Sequence, residues 1–170
     1  MSVSMNVMVE SGPVPDDVVP ADQQSFGQNV VRYLGTLADV AERLGVPPLD
    51  AFVVFPEEYW EDAVRAAGWR PPDPPAEWGD EIPLDGRPVT DPAYVAAMAE
   101  FDRIVEQSYR DLPWHQPAAG LATVRELIAA LESDPDLDRR CYGAVWDLRA
   151  FRFKLEYAER VGARFYFAAG

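Results

Sequence analysis

Sixteen prolines in 170 residues cut this chain into segments, and their placement restricts where any regular element can run. A proline removes a backbone donor and fixes φ, so it is excluded from helix interiors and central strands but tolerated in the first helical turn. Pro13, Pro15 and Pro20 with Gly12 make a loop of the stretch after the first ten residues. Pro47 and Pro48 follow Gly45 as a stop signal, Pro113 stops another segment, and six prolines fall within residues 71–90.

Between these breaks the apolar residues repeat at helical intervals. From Asp22 or Ser25 to Leu44, the residues Phe26, Val30, Leu34, Leu37, Ala41 and Leu44 form one face, with Ser25 and Gln28 spaced as a capping box. Ala51–Phe55 is too short for periodicity to decide and is read as a helical turn capped by Asp50. Pro56, Glu57 and Glu58 open a second helix ending before Gly68, with Trp60, Ala63, Val64 and Ala67 inward. Asp91 and Pro92 are the cap and first turn of a third, whose face is Tyr94, Met98, Phe101, Ile104 or Val105, and Ser108. A fourth follows Pro117 and Gly120 and runs to about Ser133 with Leu121, Val124, Leu127, Ile128 and Leu131 on one side. A fifth starts near Asp138 and carries Cys141, Val145, Leu148, Phe151, Leu155 and Ala158 toward Gly162, with Arg152 and Glu156 as an i,i+4 pair.

The two ends follow a different period. Val3, Met5, Val7 and Val9 alternate with polar positions, and Ala163, Phe165 and Phe167 alternate with Arg164 and Tyr166, the pattern of half-buried strands. A two-stranded ribbon is marginal without a layer beneath it. The expectation is therefore an α+β fold, mainly helical with about five helices, packed on a small sheet made by the N- and C-terminal strands. Residues 1–170 are read as a single domain with a Pro-rich acidic loop at 71–90.

The formal charge of −14 excludes recognition of a nucleic-acid backbone, which needs clustered Lys and Arg, and disfavours an anionic membrane surface. It favours a basic protein surface as partner, although solubility alone also accounts for it. One cysteine allows no intrachain disulfide, and no segment has the apolar length of a membrane span, so a cytoplasmic location is expected. Fourteen Arg against one Lys, with much Ala and Pro, point to a high-GC bacterial source.

No catalytic, metal-binding or cofactor-binding set stands out. His115, the one histidine, lies in a loop where it could move a proton, yet no Ser or Cys nucleophile motif accompanies it, and a histidine bonded to backbone or solvent fits as well. Cys141 reads as a small core residue. Asp134, Asp136 and Asp138 imitate the start of a calcium loop, but Arg139 and Val145 stand where glycine and a bidentate acid are needed; a turn with Asp138 as helix cap is the expectation. Acid pairs such as Glu57 and Glu58 read as a solvated face, and no phosphate-binding glycine loop occurs.

Aromatic and acidic residues coincide around the Pro-rich loop: Trp69, Trp78 and Trp114 with Asp80 and Glu81, and His115 beside them. Exposed, they would form an epitope for a basic protein; buried, the rings would pin the loop to the helices. Three functional classes follow. A non-enzymatic acidic binding module of inhibitor or immunity type comes first. A small-molecule-binding or hydrolytic protein using His115 and acids such as Asp111 is the second. The third is a structural homodimer or oligomer joined through the free edge of the C-terminal strand.

The segment Trp114, Pro117, Gly120, Leu121, Thr123, Val124 and Arg125, followed by a last helix and an aromatic strand, resembles a group of uncharacterised small bacterial proteins with a W-x-x-P-x-x-G-L-x-T-V-R stretch. The stretch LGVPPLD at Leu44–Asp50 shares in the likeness. The resemblance implies an element order, with a short N-terminal strand first, and no activity.

Overall fold

Four helices begin on a proline, because Pro56, Pro92, Pro117 and Pro135 each occupy a first-turn position where the missing N–H has no intrahelical role. The computed structural model describes residues 3–75 and 90–170. In chain order the elements are β1 (Met5–Val9), α1 (Gln28–Arg32), α2 (Leu34–Leu44), β2 (Val53–Val54), α3 (Pro56–Ala66), α4 (Pro92–Arg110), α5 (Pro117–Ser133), α6 (Pro135–Arg140), α7 (Ala144–Arg160) and β3 (Phe165–Ala169). Short 3-10 turns at Ala21–Gln23 and Leu49–Phe52 complete them. The fold is mainly helical with a small sheet, and it has seven α-helices among the described residues rather than five. None of these helices is long and apolar enough to cross a membrane.

Contacts divide the chain into two compact units, Met1–Phe55 with Pro113–Gly170, and Pro56–Leu112. In the first unit the terminal strands pair as expected, and the structure makes the pairing antiparallel, with Met5 opposite Ala169 and Val9 opposite Phe165. A third strand was not anticipated: after the 3-10 turn at Leu49–Phe52, Val53 and Val54 pair parallel to Phe167 and Ala168. Asp50 makes no side-chain cap there. The sheet order β1-β3-β2 puts the C-terminal strand in the middle, and His115 bridges to Phe165 beyond β2. The free edge expected for that strand is therefore taken up within the chain.

The core lies between this sheet and the pair α5 and α7, and it holds Met5, Leu127, Leu148, Phe151, Leu155, Phe165 and Phe167, all essentially inaccessible. β1 alternates as the sequence requires, with Met5, Val7 and Val9 buried and Asn6 and Met8 exposed. β3 does not, because the central strand is covered on both faces at its start and Tyr166 is buried with Phe165 and Phe167.

Two expected helices are each broken in two. The stretch before Leu44 leaves α geometry at Tyr33, since α1 packs on α7 and β1 while α2 packs on α5. Its start is also different: Gly27 is the N-cap, Phe26 is 82% exposed, and the hydroxyl of Ser25 bonds Asp147 rather than closing a capping box. The last long helix is interrupted at Cys141–Gly143, where Gly143 has φ +84° and a Cβ would lie 2.8 Å from Asn29. Asp134, not Asp138, caps α6, accepting from the N–H groups of Asp136 and Leu137. Cys141 ends that helix and is fully buried.

The second unit is a helical pair. α3 packs on α4 through Trp60 and Phe101, ring centroids 6.0 Å apart, and the inward face of α4 is the expected one, with Ile104 and Ser108 buried.

Candidate functional site

The strongest chemical asymmetry is the charge of residues 56–112, which hold 14 acidic and 5 basic residues out of 29 and 15 in the chain. Pro56 starts α3 and puts Glu57 and Glu58 in its first turn, where the helix dipole favours negative charge. Asp91 caps α4 by accepting from the N–H groups of Ala93 (2.8 Å) and Tyr94 (3.2 Å). These caps fix where the remaining acids stand.

The arginines of α3 and α4 are each held by an acid on their own helix. Arg65 meets Asp62 at 2.7 Å, Arg103 grips both carboxylate oxygens of Glu100 at 2.8 and 2.7 Å, and Arg110 reaches Glu106 at 3.4 Å. The Arg103 guanidinium holds the Glu100 carboxyl below its ordinary pKa. Glu57, Glu58, Glu61 and Asp102 are exposed and enter no ion pair among the described residues, so they contribute uncompensated charge.

The tryptophans singled out from sequence fall in different places. Trp69 is half-buried in the second unit, donates its indole N–H to the carbonyl of Ala97 (3.0 Å) and stacks on Phe101 at 4.8 Å. Trp114 belongs to the first unit and packs on Tyr166, centroids 4.8 Å apart. Trp78, Asp80 and Glu81 lie outside the described residues.

His115 exchanges both backbone hydrogen bonds with Phe165, at 2.8 and 2.9 Å. Its ring sits edge-on to Phe52, 5.2 Å between centroids, and burial pushes its pKa below the ordinary value. Asp111 falls in the other unit. Among the described residues no group of His, Cys, Asp and Glu is arranged to hold a metal ion.

The segment at residues 114–125 and the stretch at residues 44–50 meet in space. The Thr123 hydroxyl donates to the carbonyl of Pro47 at 2.6 Å, and Gly120 leaves room for the Phe165 ring, whose Cζ would be 2.4 Å from an added Cβ. Leu121 and Val124 are buried beside them, and Arg125 reaches Glu156 at 3.1 Å. These residues hold α5 against its neighbours.

Sequence reasoning missed Asp147. This carboxylate is fully buried, accepts the Val30 N–H at 2.8 Å and the Ser25 hydroxyl, and so caps α1 from across the unit. Its signal was an acid three residues after Ala144 and one before Leu148, on the inward face of α7. The chain matches no family model, no curated protein and no solved structure.

Proposed function

We propose that the protein is a non-enzymatic acidic binding module, of inhibitor or immunity type, that covers a basic surface of a partner protein. The observation that carries this reading is the segregation of charge: a third of the chain holds nearly half its acids, and the arginines of α3 and α4 are spent on their own helix neighbours. A surface of that kind speeds encounter with a cationic partner and does so less as salt rises.

The test is capture from native lysate on the immobilised full chain, at low and at high salt, beside a variant carrying Glu57→Gln, Glu58→Gln, Glu61→Gln and Asp102→Asn. These positions are exposed, so the variant keeps its fold. A basic partner retained at low salt, released at high salt and lost by the variant is the expected result. No partner, a partner indifferent to salt, or equal capture by the variant would overturn the reading.

A further inference from the structure

A cavity of about 440 Å³ lies along the outer edge of β1, closed by residues 12–19 on one side and α7 on the other. Its polar equipment follows from the strand register. Ser4 and Gly170 exchange backbone hydrogen bonds at 2.8 and 3.0 Å, and the Glu10 N–H donates to the carbonyl of Arg164 at 2.9 Å. Hydrogen-bonded pairs alternate along an antiparallel ladder, so Asn6 and Met8 bond β3 while the backbone groups of Val7 and Val9 turn away from it. The Val7 N–H is taken by Asn6 Oδ1 (3.0 Å) and the Val9 carbonyl by the Gly12 N–H (3.0 Å). The Val7 carbonyl and the Val9 N–H have no partner among the described residues, and both residues line the cavity.

Lys154, the one lysine of the chain, also lines it. Its ammonium donates to Asn6 Oδ1 at 2.5 Å and makes no ion pair among the described residues, which leaves protons on a half-buried cation unmatched by any carboxylate. Burial lowers its pKa, as expected for a cation short of a counter-ion. Asp16 stands in the same lining, and Val19 and Ala150 supply buried apolar wall. The wall itself is tied: the Gln24 amide donates to the carbonyls of Asp16 (3.3 Å) and Val19 (3.4 Å), and Ser25 is anchored on Asp147.

We infer that this cavity binds a small amino-acid-like compound, its carboxylate on Lys154, its ammonium on the Val7 carbonyl and Asp16, and its apolar side chain against Val19 and Ala150. The complement of a lone cation, an unpaired carbonyl, an unpaired N–H and a carboxylate is a zwitterion, and a charge-assisted bond to a half-buried ammonium supplies the discrimination. The acidic surface of α3 and α4 plays no part in it.

The experiment titrates the isotopically labelled full chain with each of the twenty L-amino acids, following the Val9 amide and the Lys154 side chain by NMR, and repeats it with the matching amino-acid amides, which lack the carboxylate. At least one apolar amino acid is expected to shift both signals saturably, with its amide bound at least about tenfold more weakly. Lys154→Met keeps the side-chain volume, and its spectrum reports its own fold; it is expected to abolish the shifts. The inference is overturned if no amino acid moves these signals, if the amides bind as well as the acids, or if folded Lys154→Met binds unchanged. The comparison of acid with amide needs no variant, so a misfolded Lys154→Met leaves the test decisive.

Discussion

His115 is held both by its backbone and by its ring. Its backbone extends the sheet beyond β2 and its ring is packed on Phe52 and Phe165, so the cationic form is disfavoured. A histidine with a lowered folded pKa binds fewer protons when folded than unfolded. Its contribution is therefore intact above the unfolded value of about 6.5 and is lost as pH falls through the window between that value and the folded pKa. The ring-proton titration of this single histidine should give a midpoint below about 6.5; a midpoint at or above it would show a solvated or carboxylate-paired ring instead. Lone residues of this kind were visible in the sequence, but their surroundings were not, because a loop position carries no periodicity from which burial can be read.

At the scale of elements, β3 holds the first unit together. It lies between β1 and β2, pairs with His115 at its start, and places Phe165 and Phe167 in the core with no exposure. Truncating either ring would cost about 3–5 kcal/mol by itself, against a total stability of about 5–15 kcal/mol for an ordinary domain. Deleting residues 163–170 should therefore abolish cooperative thermal unfolding and leave exposed apolar surface that binds a hydrophobic dye. An equally cooperative truncated protein would refute the central role of this strand. The long apolar stripes of α4 and α5 and the alternation of β1 were legible because each is set by the period of its own element. The breaks at Tyr33 and Cys141–Gly143 were not, since both arise where two parts of one apolar stripe pack on different neighbours. β2 escaped for a related reason: two residues are too few to show a period, and only β3 alongside makes them a strand.

Across the whole molecule the charge is −14, and the ion pairs that offset it are mostly exposed. Exposed pairs contribute about 0–1 kcal/mol each, so repulsion among the unpaired acids outweighs them. Raising sodium chloride from about 10 mM to about 150 mM should raise Tm, because screening weakens that repulsion more than it weakens the pairs. A fall in Tm over the same range would mean that the ion pairs dominate.

Composition and periodicity alone determined the helical character, the strands at both ends, the starts at Pro56 and Pro92, and the acidic exterior, since these depend on single residues or on repeats within one segment. Whether the tryptophans stand out as an epitope or pin the chain could not be read in that way: Trp69 packs on Phe101 and Trp114 on Tyr166, each within its own unit, and that packing depends on partners distant in sequence. Tertiary structure likewise decided that the C-terminal strand is central, that Asp147 caps a helix more than a hundred residues before it, and that Lys154 meets the open edge of β1. Each is a pairing between residues far apart in the chain, and its free energy resides in a contact that no single segment contains.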